Sequence, residues 1–112
     1  MSINAFYPQG NTVTFTGAVT APTPIQCVAF TPGVIASNAF RFCNAGNVTV
    51  FMGVGPTAAT ANANAVVVST TASSIPLVAG AVEVMCFQPY SFFTGITSSG
   101  SALIYVTPGE GM

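Results

Sequence analysis

Apolar and polar residues alternate with a period of two in short stretches along this chain, and clusters of Gly, Pro, Asn and Ser separate one stretch from the next. No stretch sustains the i, i+3, i+4 recurrence of an amphipathic helix, so the pattern predicts an all-β fold. A first strand is expected over Thr12 to Thr16, where Val13 and Phe15 alternate with threonines. Ile25 to Phe30 follows the turn-rich Ala21-Pro22-Thr23-Pro24 and is stopped by Thr31-Pro32-Gly33. Phe40 and Phe42 alternate with Arg41 and Cys43, the run breaks at Asn44-Ala45-Gly46-Asn47, and Val48, Val50, Met52 and Val54 then share one face of a return arm. This reads as a β-hairpin with a short Gly-containing turn. Pro56 to Ala65 reads as a surface loop, because its repeated Asn and Thr oppose a helix that Ala alone would favour.

Further strands are expected near Val66 to Ser69, at Ile75-Pro76-Leu77, over Val82 to Phe87, over Phe92 to Ile96 and over Ala102 to Val106. Pro76 cannot donate to a ladder on both sides and marks its segment as an edge. On Val82 to Phe87, Val82, Val84 and Cys86 share one face, with Glu83, Met85 and Phe87 on the other. About seven or eight short antiparallel strands with turns at such spacing predict a single-domain β-sandwich or jelly roll over residues 1–112. The Gly- and Pro-containing ends, residues 1–11 and 107–112, are expected to form arms that order on a partner.

Charge changes the picture most. Arg41, Glu83 and Glu110 are the only charged side chains in 112 residues, 3% of the chain, where an ordinary soluble domain carries about 25%. Solubility normally relies on interspersed charge, so much of this surface is expected to be covered by other protein subunits. One Arg without Lys cannot neutralise a row of phosphates, which excludes a nucleic-acid partner. Neither a polybasic patch nor an apolar run long enough to span a bilayer as a helix is present, so no membrane partner is expected. Met1-Ser2-Ile3-Asn4 lacks the n- and h-regions of a signal peptide, and synthesis in the cytoplasm is the expectation.

The inventory for acid and base chemistry is two carboxylates, three thiols and three tyrosines, with no histidine. Glu83 reads as a strand-face carboxylate that keeps an outer surface soluble, and Glu110, in a Gly-Glu-Gly stretch, as a solvated tail carboxylate. Cys27, Cys43 and Cys86 are odd in number and widely spaced, which fits neither a disulfide framework nor a zinc site, and they read as reduced, small core residues. No base accompanies them to make a nucleophile. We therefore expect no catalytic, cofactor-binding or metal-binding residues. Arg41 is either one half of an intersubunit ion pair, with Glu83, Glu110 or a carboxylate of another protein, or a lone solvated cation. Phe6, Tyr7, Tyr90, Phe92 and Phe93 are the aromatics that could anchor an interface, with ordinary core packing as the alternative.

The phrases Phe40-Arg41-Phe42-Cys43-Asn44-Ala45-Gly46, Val50-Phe51-Met52-Gly53-Val54-Gly55, Ile75-Pro76-Leu77 with Ala79-Gly80-Ala81-Val82-Glu83-Val84, and the ending Ala102-Leu103-Ile104-Tyr105-Val106-Thr107-Pro108-Gly109-Glu110-Gly111 resemble small structural proteins of tailed bacteriophages, of the capsid cement or decoration kind. The resemblance spans residues 40 to 111 and implies a homo-oligomer, a dimer or trimer, on the outer capsid surface of the virion. There it would clamp neighbouring subunits of the major capsid protein. A tail, neck or fibre component is the alternative within the same setting. A carbohydrate-binding or host-adhesion module, with Tyr7, Tyr90 or Tyr105 as stacking platforms, is the alternative outside it.

Overall fold

The computed structural model describes residues 6–8, 10–27 and 39–110. Its strands are β1 (Tyr7–Pro8), β2 (Val13–Gly17), β3 (Ile25–Gln26), β4 (Ala39–Asn44), β5 (Val50–Gly55), β6 (Ile75–Leu77), β7 (Val82–Cys86), β8 (Phe92–Ile96) and β9 (Ala102–Glu110), with one helix, α1 (Ala58–Asn64), between β5 and β6. All strand pairs are antiparallel, in two sheets packed face to face. The first sheet runs β2-β9-β4-β7 and the second β3-β8-β5-β6. Gly109 pairs with both Pro8 and Ala39, and Ile104 with both Phe15 and Asn44, so β1 and β2 occupy the same edge of β9 in line.

β2 pairs with β9, β3 with β8, β4 with β7 and β5 with β6. These are the pairs of one long hairpin rolled up, and β4 on β9 and β5 on β8 complete the sheets. The expected all-β sandwich is therefore present, in its jelly-roll form. Alternation places the core: Phe15, Phe40, Phe42, Ile104 and Val106 from the first sheet meet Val50, Met52, Leu77 and Phe93 from the second, all buried. Phe93 touches Phe40 and Phe42 across the sandwich at ring-centroid distances of 5.0 and 5.3 Å, both edge-to-face.

The expected hairpin at residues 44–47 is absent. β4 and β5 do not pair; the chain crosses there from one sheet to the other. Asn44 makes the crossing possible. It is buried, its Nδ2 donates to Val48 O and Leu77 O, both at 2.9 Å, and its Oδ1 accepts from Gly46 N at 2.9 Å. One side chain so bonds three backbone groups, tying the crossing at residues 46 and 48 to β6. Asn44→Ala removes all three bonds, and we expect a loss of about 2 kcal/mol in urea unfolding, since each buried group left unpaired costs roughly 1–3 kcal/mol before relaxation or water entry. An unchanged midpoint would refute this role.

The loop expected at residues 56–65 contains α1. Thr57 caps it, accepting from Thr60 N–H at 3.1 Å, and Asn64 Nδ2 ties its end to Val54 O at 2.8 Å. A seven-residue helix is marginal alone; docking on β5 and β8 stabilises it. The strand expected near Val66 to Ser69 does not form. Of the strand expected over Ile25 to Phe30, only Ile25–Gln26 is a strand, and the portion from Val28 onward lies outside the described residues. Where arms were expected, Tyr7–Pro8 pairs with Gly109–Glu110 at the end of the first sheet; residues 1–5, 9, 111 and 112 lie outside the description.

Candidate functional site

The two outer faces of the sandwich differ. On the second sheet, Gly53 and Gly55 of β5 form a floor on which α1 lies, and Thr94 beneath the segment before β3 donates to Pro22 O at 2.8 Å. The chain covers this face with its own residues. On the first sheet, the outward positions are Thr14 and Thr16 of β2, Leu103, Tyr105, Thr107 and Gly109 of β9, Ala39, Arg41 and Cys43 of β4, and Val82, Val84 and Cys86 of β7. Register assembles them into rows across the strands: Thr14, Tyr105, Cys43 and Val82 in one, Thr107, Arg41 and Val84 in the next.

Directly opposed side chains on such a face have Cβ atoms about 5 Å apart. The rows therefore form one continuous patch. Val82 is 50% exposed, Tyr105 39% and Leu103 36%, while Val84 and Cys43 are half-buried. Apolar side chains thus lie side by side on this part of the face, while beyond Arg41 the outward Ala39 and Gly109 are buried. Contiguous exposed apolar surface of this kind marks a contact site more often than scattered exposed residues do. Arg41 stands exposed in the end row of this patch, on one of the two central strands.

Glu83 is not on this surface. It pairs with Phe42 and shares the core side of β7 with Met85, which packs on the core. The expectation that Glu83 keeps an outer face soluble is corrected accordingly. It remains exposed because β7 is the sheet's edge and the inward row ends there, and an inward-pointing charge on an edge strand discourages pairing with another chain. Within one subunit, Arg41 and Glu83 lie on opposite faces of adjacent strands.

Of the other expected interface residues, Phe93 is wholly buried in the core, a correction that follows from its inward register opposite Val54. Phe92 is half-buried on the outer side of the second sheet, and Phe6 is half-buried near β1. Tyr90 is 52% exposed at the tip of the turn before β8, with φ 66°. Its carbonyl accepts from Gln26 Nε2 at 2.7 Å. Tyr7 and Glu110 are partners in the β1 and β9 ladder. The structure does not bring these residues together with Arg41. Sequence reading missed Leu103, Val82 and Val84 as surface residues, and Tyr105 entered only as a possible sugar platform.

The cysteines divide as well. Cys27 is buried in the core, but Cys43 faces outward and Cys86 is exposed, so the expectation of three core thiols holds for one. Burial pushes the Cys27 thiol up to about 12 from its ordinary 9.0, the opposite of what activates a nucleophile. The folded state thus keeps a proton that the unfolded chain loses above pH 9.0. This stabilisation is complete below that pH and is lost progressively as pH rises toward 12. We expect the native protein to lose about 1 kcal/mol more stability than Cys27→Ala between about pH 8 and 10. Parallel pH profiles would exclude the effect.

A cleft of about 390 Å³ lies at one end of the sandwich, lined by Val54, Gly55, Pro56, Phe87, Gln88 and Ser91, none of them titratable. Among the described residues no three His, Cys, Asp or Glu side chains gather to hold a metal, and no helix is long and apolar enough to cross a membrane. No family model, curated protein or solved structure matches the chain.

Proposed function

We propose that the chain is a non-enzymatic structural subunit of a tailed-bacteriophage particle, bound to the outer capsid shell and clamping neighbouring major capsid subunits. The observation that carries this reading is the exposure of Leu103, Tyr105 and Val82 side by side on the outer face of the first sheet, in a chain that has almost no charge. Covering that face removes apolar area from water and resolves the solubility problem posed by the composition. The phage-like phrases over residues 40 to 111 supply the setting. The jelly roll is used by capsid and lectin domains alike and by itself favours neither. Homo-oligomerisation as a dimer or trimer belongs to the same proposal.

Cryo-electron microscopy of particles containing the chain tests it by copy number and position. Many copies at capsomer boundaries are expected. A few copies confined to one vertex or to the tail would replace the shell reading with a tail, neck or fibre component. Specific hits in a glycan-array screen that vanish with Tyr90→Ala, the most exposed aromatic of the described chain, would replace both with an adhesion module.

A further inference from the structure

We infer that residues 66–69 become a strand when two copies of the chain meet, each pairing antiparallel with the same segment of the other about a two-fold axis at Val67. This rests on the reading of the chain as an assembling structural subunit and names a contact between its copies. Val66-Val67-Val68 is a run of β-branched residues, a composition suited to a strand, yet no strand forms there within the chain. The segment is held alongside residues 72–74, which lead into β6 at the edge of the second sheet: Ser69 N–H donates to Ala72 O at 2.8 Å, and the Ser74 hydroxyl donates to Val66 O. Among the described residues no acceptor bonds the backbone amides of Val66, Val67 or Val68, although Val66 and Val67 are half-buried. Extended backbone with open amides beside a sheet is an edge that a further strand can join.

Other margins of the two sheets are guarded. Glu83 points inward on β7, Pro76 removes a donor from β6, and β3 is two residues long. Residues 66–69 carry neither charge nor proline. A second copy fits this edge with residues already known. Centred on Val67, the pairing sets Val66 opposite Val68 of the second copy and Val67 opposite itself, so every directly opposed pair is β-branched and favourable. The pairs of Val66 with Val68 each exchange both backbone hydrogen bonds, and Val67 takes the closer, non-hydrogen-bonded position on the axis. A two-fold contact brings any residue near its axis against its own mate. Residues 42–82 contain no charged side chain, so this ribbon sets no like charges against each other.

The test uses the full chain with Cys43→Ser and Cys86→Ser, which removes the two thiols outside the core, and adds Val67→Cys. Opposed Cα atoms at a non-hydrogen-bonded antiparallel position are about 4.5 Å apart, within the roughly 4.4–6.8 Å that a disulfide spans. Under mild oxidation with diamide, position 67 is expected to link two copies at least about 10-fold faster than Val19→Cys, on an exposed turn in the same background. Adding Val68→Pro, which deletes an amide donor from each copy, should slow the link about 30-fold. Val68→Lys, a guard of the kind other edges carry, should slow it as well. Equal rates at 67 and 19, a link untouched by both changes at 68, or adducts of 67 with another protein and not with a second copy each overturn the inference. If 67 fails in these ways while the chain still binds shells, the capsid reading stands and this one falls. If copies link through 67 as expected and the chain is absent from shells, this inference stands and the capsid reading falls.

Discussion

Phe93→Ala is expected to lower stability by about 4 kcal/mol, the largest loss we predict for a single side chain in this protein. Phe93 is fully buried on β8, and its ring lies 5.0 Å from Phe40, 5.3 Å from Phe42 and 5.7 Å from Phe87, each edge-to-face. Phe40 and Phe42 belong to the other sheet, so Phe93 carries contacts that hold the two layers together. Removing it loses transfer free energy, leaves a cavity walled by three rings that cannot all collapse inward, and deletes aromatic pairs worth about 0.5–1.5 kcal/mol each beyond their area. Domains of this size have about 5–15 kcal/mol in total, so the variant should unfold roughly 15–25 °C lower by calorimetry. Phe93→Leu keeps most of the volume and should lose less than half as much. A fall of under about 5 °C for the Ala variant would mean that the ring cluster does not hold the sheets together.

What the sequence made legible follows from where polarity alternates. Val13 and Phe15 among threonines, Phe40 and Phe42 around Arg41, and the even-numbered apolar set of Val50, Met52 and Val54 all point inward as their pattern demands. Pro76 does mark an edge. Pairing partners were less legible. Two alternating runs joined by Asn44-Ala45-Gly46-Asn47 carry a hairpin's local signal, and what overrides it is an amide bonded to Leu77, 33 residues away. Such a contact leaves no mark in the local pattern.

The exposed apolar face was hidden for a related reason. In Ala102-Leu103-Ile104-Tyr105-Val106 both faces are apolar, so composition cannot say that Ile104 and Val106 enter the core while Leu103 and Tyr105 meet solvent. Only register decides it, and a slip of one residue exchanges the faces. On β7 the single charge pointed toward the opposite assignment. Glu83 suggested an outer surface, yet Val82 and Val84 hold that position, because the edge of the sheet lets a carboxylate sit on the core side and still reach water. The near-absence of charge raised the expectation of a contact surface. Its location required the fold.

Gly53→Val should undock α1 while leaving the sandwich folded, at a loss of about 3 kcal/mol. A Cβ at position 53 would stand 2.8 Å from the Ala65 Cβ and nearer still to the Ala61 carbonyl oxygen and the Ala65 amide. These are atoms of the helix and its cap, which cannot swing aside as the end of a flexible side chain could. Ala61 and Ala65 are buried by this approach, and at this distance only hydrogen fits on the strand beneath. The helix must lift, forfeiting the burial of both alanines and the bond from Asn64 to Val54 O. A seven-residue segment that has lost its docking surface does not stay helical. The loss is therefore bounded by the free energy of undocking and does not grow with the severity of the clash. Hydrogen exchange separates this from global unfolding: amides of residues 61–65 should lose protection, while those of β4 and β9 in the first sheet keep theirs. The first sheet's outer face lies across the sandwich from α1, so this variant should also retain the proposed shell binding within a few-fold. Loss of shell binding together with the helix would place the proposed contact on the second sheet's side instead.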